Sequence, residues 1–148
     1  MAKNDAKTDP LSVSEETDHD AVHFLEDRLY EYNVERTGYT DGRLMTILMR
    51  DGAGEISAGL YGSTWGRCCE VRLLWVHERL RGHGVGTRLL LTAEKEARER
   101  GAEQIVLDTH SFQAPDFYRR FGYEIVGFIE DYPKGHRKIF MRKRLRAE

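Results

Sequence analysis

The sequence predicts an α+β domain built on a mixed, mostly antiparallel, twisted sheet of about six or seven strands with flanking helices. Two observations carry this prediction. Three strand-like segments joined by hairpin turn residues occupy positions 44–76, which is typical of an antiparallel meander. An amphipathic helix then leads to the short apolar run at 105–107, which indicates a buried strand reached by a helical crossover and therefore a central βαβ unit.

The N-terminal part is predicted to be a tail followed by one helix. Residues 1–16 are rich in Asp, Lys, Thr, Ser and Glu, and we expect them to be disordered, with at most a short edge strand. Residues 17–148 would then form a single domain, since 148 residues are enough for one core. Apolar residues recur at helical spacing over 18–34, and the polar segment 36–42 is predicted to be a loop.

The meander is predicted as strands at 44–49, 56–65 and 68–76. Gly59 and Gly62 weaken the middle strand and indicate a bulge or the close approach of another group. On the third strand, simple alternation predicts two faces, one carrying Glu70, Arg72, Leu74 and Val76 and the other Cys69, Val71, Leu73 and Trp75.

The second half predicts a long helix from Val85 to a stop at Gly101. Glu94 with Arg98, and Glu96 with Arg100, have the spacing of favourable ion pairs on that helix. A shorter helix at 114–121 and strands at 123–130 and 137–145 follow. The basic run 142–144 is interpreted as protection of a final edge strand against pairing with other chains.

Composition excludes several classes of protein. A formal net charge of −2 without a basic stripe argues against a nucleic-acid binder. No apolar run approaches the ~20 residues of a membrane span and no signal peptide is evident, so we expect a cytoplasmic protein without membrane contact. Cys68 and Cys69 are adjacent, which gives neither a disulfide framework nor metal-ligand spacing, and we expect no metal.

The most informative segment is the glycine-rich loop at 81–86, between a strand and a helix. Glycines let the backbone close around an anion, and the helix that follows directs its free N–H groups at the same point. Arg79, Arg81 and Arg88 add positive charge. The spacing fits neither a P-loop nor a dinucleotide-binding fingerprint.

The loop reads Arg-x-x-Gly-x-Gly from Arg81 to Gly86, and it resembles the coenzyme A loop of the GNAT acetyltransferases. A second segment, from Ala114 through Phe117-Tyr118 to Gly122-Tyr123, is similar to another GNAT motif at the family's separation. The resemblance spans about 18–145 and implies an N-acetyltransferase that moves the acetyl group of acetyl-CoA to a primary amine by direct attack.

The resemblance also implies site residues. Cofactor binding is assigned to the strand end Leu74, Trp75 and Val76, to the loop residues Arg81, Gly82, His83, Gly84, Val85, Gly86 and Thr87, and to Ser111 and Tyr118. A backbone N–H near Leu74 would stabilise the thioester oxyanion. Ser111 stands where many relatives have Asn, and its side chain reaches less far. Tyr118 would act as the general acid.

The general base is left open. Glu70 is one candidate, although it could instead pair with Arg72, and Asp108 and His110 at the end of the buried strand are the others. The hairpin 131–136 either contacts substrate or is a plain turn. The acceptor, a small-molecule or protein amine, is not identified by the sequence, and a homodimer stays an option. The alternative function is a non-catalytic coenzyme A sensor on the same fold.

Overall fold

The computed structural model describes residues 9–146, and these divide into two compact units after Gly38. Residues 1–8 of the predicted tail lie outside the described part. Residues 9–18 form neither helix nor strand, so the short edge strand considered from the sequence is not found there. The extent of the domain, from residue 17 onward, stays a prediction. No helix within residues 9–146 is long and apolar enough to cross a membrane.

The first unit contains helix α1, His19–Thr37. Asp18 is its N-cap, and the carboxylate accepts a hydrogen bond of 2.9 Å from the N–H of Ala21. The helix runs three residues past the predicted end because Gly38 is the residue that adopts the left-handed conformation (φ 76°) and closes it, with a bond of 2.8 Å to the Val34 carbonyl.

The second unit contains the sheet, as predicted, with six strands and mixed direction. The strands are β1 Arg43–Arg50, β2 Ile56–Trp65, β3 Cys68–Val76, β4 Gln104–His110, β5 Glu124–Glu130 and β6 Arg137–Arg144. Their order across the sheet is β1-β2-β3-β4-β6-β5. The β3–β4 pair is parallel, and the other four pairings between the described strands are antiparallel.

The interpretation of the basic run 142–144 as protection of an edge strand is wrong. Strand β6 inserts between β4 and β5, so the described edges are β1 and β5. After β5 the chain turns through a hairpin, and β6 then lies between β5 and β4. The order of the strands along the sequence does not reveal this order across the sheet.

The predicted alternation along β3 is also wrong beyond Val71. Tyr61 pairs with Leu73 but Gly62 pairs with Val71, so Arg72 is an extra residue in a β-bulge. The bulge returns Leu74 and Val76 to the face of Cys69 and Val71, where they pack on the core, while Leu73 and Trp75 are exposed on the other face. The bulge that Gly62 indicated is therefore present, whereas Gly59 lies in regular register with both neighbouring strands.

Two helices complete this unit, α2 Val85–Glu99 and α3 Pro115–Arg120. The apolar face of α2 packs in one core with the inward side chains of the sheet and with Tyr118 and Tyr123. The predicted pair Glu96–Arg100 forms at 2.7 Å. The predicted pair Glu94–Arg98 does not form, because Glu94 is buried and makes an ion pair with Lys143 of β6 instead.

Candidate active site

The site begins where the two parallel strands separate. β3 and β4 are paired only from Cys68 opposite Gln104 to Val71 opposite Leu107. Both strands continue, to Val76 and His110, without pairing to each other, and we call the gap between their carboxyl ends the cleft. In open sheets with parallel strands, ligands bind at such carboxyl ends.

The backbone of β3 presents hydrogen-bonding groups to this cleft. The N–H of His77 donates to the Ser57 carbonyl of β2 at 2.9 Å. The N–H and C=O groups of successive residues point to opposite sides of a strand. Those of Leu74 and Val76 therefore point away from β2, toward the side where β4 is no longer paired with β3. The N–H of Leu74 is thus available to a ligand in the cleft.

The glycine loop joins β3 to α2 with a short 3₁₀ helix, Glu78–Leu80, in between. Gly82 and Gly84 both have φ of 77°, a conformation that side chains disfavour, and the space where their Cβ atoms would lie is open. The first helical bond of α2 runs from the Arg88 N–H to the Gly84 carbonyl at 3.0 Å. The three N–H groups of residues 85–87 therefore have no intrahelical partner, and no side chain caps them.

The basic side chains near the loop differ in whether they have a hydrogen-bond or ion-pair partner within the protein. Arg81 donates from Nε to the Val76 carbonyl at 3.1 Å, which holds its guanidinium at the end of β3. Arg79 pairs with Asp51 at 3.2 Å, and the His83 ring bonds to the carbonyl of Arg81 at 2.9 Å. Arg88 is exposed and has no side-chain partner among residues 9–146. The loop is thus uncapped, electropositive and fixed to the strand.

Helix α3 lies beside the loop. A Cβ at Gly86 would be 3.6 Å from Cζ of Phe117 and 3.8 Å from Cγ2 of Val76, so the first turn of α2, the end of β3 and α3 meet at this glycine. Phe117 is not among the site residues predicted from the sequence. Its place in the second motif, directly before Tyr118, is the signal that could have done so.

Tyr118 is buried on α3. Burial, and then the negative charge of Asp108, raise the pKa of Tyr118 to about 12. The phenol therefore keeps its proton throughout the physiological range and can act only as a neutral hydrogen-bond donor or acid there.

The candidate bases lie at different places on the sheet. Asp108 is on β4 beyond the last residue paired with β3, and its carboxylate is 3.7 Å from Nζ of Lys138. Glu70 lies in the paired part of β3, and its charge raises the pKa of the neighbouring Cys68 and Cys69 thiols, after the larger effect of burial. Only Asp108 of these two is among the charges that act on Tyr118.

His110 ends β4 within a group of rings. Its ring lies 5.3 Å from that of Phe112 and 5.6 Å from that of Tyr132, both in stacked geometry. Nδ1 is 2.8 Å from the Tyr132 carbonyl oxygen, which can only accept, so Nδ1 carries a hydrogen and Nε2 is the nitrogen that remains for other partners. His110 and the hairpin 131–136 are thereby joined at the cleft end of the sheet.

Ser111 connects β4 to β6. Its hydroxyl oxygen accepts a bond of 3.0 Å from the Arg137 N–H, and its own N–H donates to the Arg137 carbonyl at 2.8 Å. The hydroxyl hydrogen is not used by this arrangement and can still donate to a ligand.

Comparison with known proteins identifies relatives. The sequence model of the acetyltransferase (GNAT) family matches residues 9–123. An acetyltransferase of Agrobacterium fabrum is 33% identical over 132 residues, 89% of this chain and 96% of the relative. Blasticidin-S acetyltransferase of Streptomyces morookaense is 45% identical over 83 residues, 55% of this chain and 61% of the relative. The crystal structure of an acetyltransferase from Bacillus cereus, 31% identical, superimposes with a TM-score of 0.73 over 90% of this chain and 98% of that one.

Proposed function

Because the chain belongs to the GNAT acetyltransferase family, we propose that it transfers the acetyl group of acetyl-CoA to the primary amine of a small molecule. The observation that carries this proposal is the cleft between β3 and β4, which ends at the uncapped first turn of α2. An enzyme is favoured over the regulatory module considered from the sequence, since the named relatives are acetyltransferases.

The fit of coenzyme A rests on residues of the loop and the strand. The pyrophosphate would bind the N–H groups of Val85, Gly86 and Thr87, with Arg88 as the free cation beside them. The pantetheine arm would lie along β3, bonded to the backbone of Leu74 and Val76. In this position the thioester carbonyl oxygen meets the Leu74 N–H, which stabilises negative charge as it develops.

The reaction forms a carbon–nitrogen bond and breaks the carbon–sulfur bond of the thioester. The amine nitrogen attacks the carbonyl carbon and gives up a proton to a base. Tyr118 donates its proton to the departing sulfur, and solvent returns a proton to the phenol. A phenol with a pKa of about 12 is protonated at neutral pH and can therefore donate its proton to the departing sulfur.

Asp108 is our candidate for the base. Its charge acts on Tyr118, so the base and the acid would lie in the same part of the site, whereas the charge of Glu70 acts on the cysteines at the start of β3. Asp108 would also attract an ammonium group before it is deprotonated. His110 is the second candidate, through Nε2.

The acceptor class follows from the relatives and from the charge at the cleft. Blasticidin-S acetyltransferase is named for an antibiotic substrate, and it shares 45% identity over the matched 83 residues. Asp108 and the stacked rings at His110 and Tyr132 suit a cationic amine that carries a flat or apolar group. A small cationic antibiotic or similar amine is therefore the acceptor that we propose.

Cofactor binding is tested with Gly84→Glu. The new carboxylate would enter the anion site, and we expect acetyl-CoA binding, measured by calorimetry, to weaken at least 100-fold. Gly38→Glu is the matched control, because Gly38 has φ of 76° against 77° for Gly84 and equally open space, but lies in the other unit. Equal binding by wild type and Gly84→Glu, or no binding by either, would contradict the proposal.

The acid and the base are tested by turnover with a panel of cationic amines, followed by thiol release. Tyr118→Phe should lower kcat about 100-fold or more while acetyl-CoA still binds. Asp108→Asn should lower kcat/KM more than Glu70→Gln does, and the fall should be greatest at low pH, where the amine is protonated. Asp108→Asn with wild-type kcat/KM would exclude this base and leave His110→Gln as the next variant.

A further inference from the structure

A second feature lies at the opposite end of the sheet from the cleft. A cavity of about 800 Å³ opens where β4 begins and β6 ends. It is lined by Arg67, Arg98, Gly101, Ala102, Glu103, Glu124, Arg142, Arg144, Leu145 and Arg146. Five of these ten residues are arginines and two are glutamates, so the lining carries an excess of positive charge in a chain of net charge −2.

Four of the five arginines make no ion pair with a carboxylate of the described residues, although Glu124 lies opposite Arg142 in the strand register. Arg67 pairs with Glu103 at 2.6 Å. Within residues 9–146, none of the side chains of Arg98, Arg142, Arg144 and Arg146 has a hydrogen-bond or ion-pair partner, and Glu124 is the remaining acidic residue of the lining. Guanidinium groups without a paired carboxylate make this lining electropositive, and an anion bound there would be attracted to it.

Arg98 provides a second observation at this cavity. Its Nε is buried and has no hydrogen-bond partner in the described part of the chain. A buried charged donor without an acceptor is costly, and such groups in folded proteins have an explanation in an ion, a water or a ligand. Glu94, to which sequence spacing would pair Arg98, is occupied by Lys143.

The position of β6 removes the alternative explanation for the basic run 142–144. Since β6 is an interior strand, Arg142 and Arg144 do not protect a sheet edge. They lie on the same face of the strand and line the cavity together with Arg146 just after β6 and with arginines from two other segments, Arg67 and Arg98. A charge cluster assembled from separate parts of the chain favours a binding role.

We propose that this cavity binds a small molecule with two or more negative charges on oxyanion groups, either phosphates or carboxylates. Guanidinium groups donate pairs of parallel hydrogen bonds to both kinds of group, and four of them match a ligand with several oxyanions better than a single ion. A volume of about 800 Å³ is large enough for a metabolite of moderate size.

The cavity is separate from the cofactor loop. Gly84 precedes the first turn of α2 and Gly101 lies beyond its last turn, and the 15 residues of the helix span ~22 Å. Saturation with coenzyme A therefore occupies the loop and leaves the cavity free. Anion binding in this cavity depends neither on the identity of the acceptor nor on catalysis.

The test uses calorimetry on the full chain with coenzyme A at saturating concentration, with inorganic tripolyphosphate as one probe and citrate as the other. We expect binding of one probe per chain, and the tighter probe distinguishes phosphate from carboxylate recognition. Arg142→Gln with Arg144→Gln should weaken the affinity at least tenfold. Arg28→Gln with Arg119→Gln is the matched control, because it removes the same charge from exposed arginines elsewhere and should change the affinity less than twofold.

Circular dichroism and thermal unfolding would verify that both double variants are folded. The absence of binding of either probe to the wild type would overturn the proposal. Equal weakening in the two double variants would also overturn it, because the attraction would then reflect overall charge rather than this cavity.

Discussion

At the scale of single residues, Gly62 determines the geometry of strand β3. A Cβ atom added to Gly62 would lie only 2.1 Å from the carbonyl oxygen of Glu70. Only glycine lets β2 and β3 approach so closely at the bulge. The bulge in turn directs the backbone groups of Leu74 and Val76 to the cleft, so a residue without a side chain positions the predicted oxyanion donor.

Gly62→Ala should therefore destabilise the protein and disturb the cleft. A Cβ at 2.1 Å from a backbone oxygen forces the strands apart, and we expect a loss of about 3 kcal/mol in the free energy of unfolding, measured by denaturant titration. The Michaelis constant for acetyl-CoA should rise as well. Gly127→Ala is the control, since nothing lies within 4 Å of its added Cβ. If both variants unfold at the same denaturant concentration, the close approach of the strands at Gly62 does not contribute to the free energy of unfolding.

At the scale of elements, α2 is attached to the sheet by a buried ion pair. Glu94 is 1% exposed in the middle of the helix, and Lys143 reaches it from β6. Tyr123 lies beside this pair, where burial and then the charge of Glu94 raise its pKa. The pair holds the helix that would present its N-terminus to the cofactor.

Lys143→Met should be more damaging than removal of both partners. The single change leaves the Glu94 carboxylate buried without a counterion, and we expect a loss of about 3–5 kcal/mol. Glu94→Leu together with Lys143→Met places apolar groups at both positions and should recover most of that loss. Thermal unfolding of the four proteins of this cycle measures the coupling. A double variant as unstable as Lys143→Met would show that shape, rather than charge, dominates at this contact.

Local signals in the sequence predicted the helices, the strands and the glycine loop, because spacing, caps and turns act over a few residues. The position of β6 inside the sheet, the extra residue at Arg72 and the partner of Glu94 could not be predicted in this way. Each depends on which strands become neighbours. The same holds for the candidate base, since the effect of Asp108 on Tyr118 is visible only after β4 and α3 are placed together.

At the scale of the whole molecule, the core of the second unit contains ionisable groups that are held neutral. Burial raises the pKa of Tyr118 to about 12, with a further contribution from Asp108. Burial also raises the pKa of Cys69 from its ordinary value of 9.0 to about 12, and it raises that of Tyr123. All three groups are uncharged when protonated, so they favour the folded state while they keep their protons.

Stability should consequently fall at alkaline pH. The folded-state pKa values are raised, so the stabilisation is complete below the unfolded values of about 9 and 10 and is lost as the pH rises toward 12. The free energy of unfolding should be nearly constant from pH 7 to about pH 8.5 and then decrease. In Tyr118→Phe the decrease in the free energy of unfolding between pH 8 and pH 11 should be smaller by about 1.4 kcal/mol. This is the free energy of one pKa unit, because pH 11 lies about one unit above the unfolded pKa of the phenol. Tyr132→Phe, at a tyrosine that is 48% exposed, should retain the full decrease. An alkaline decrease of the same size in Tyr118→Phe and wild type would show that this phenol is not held neutral by the fold.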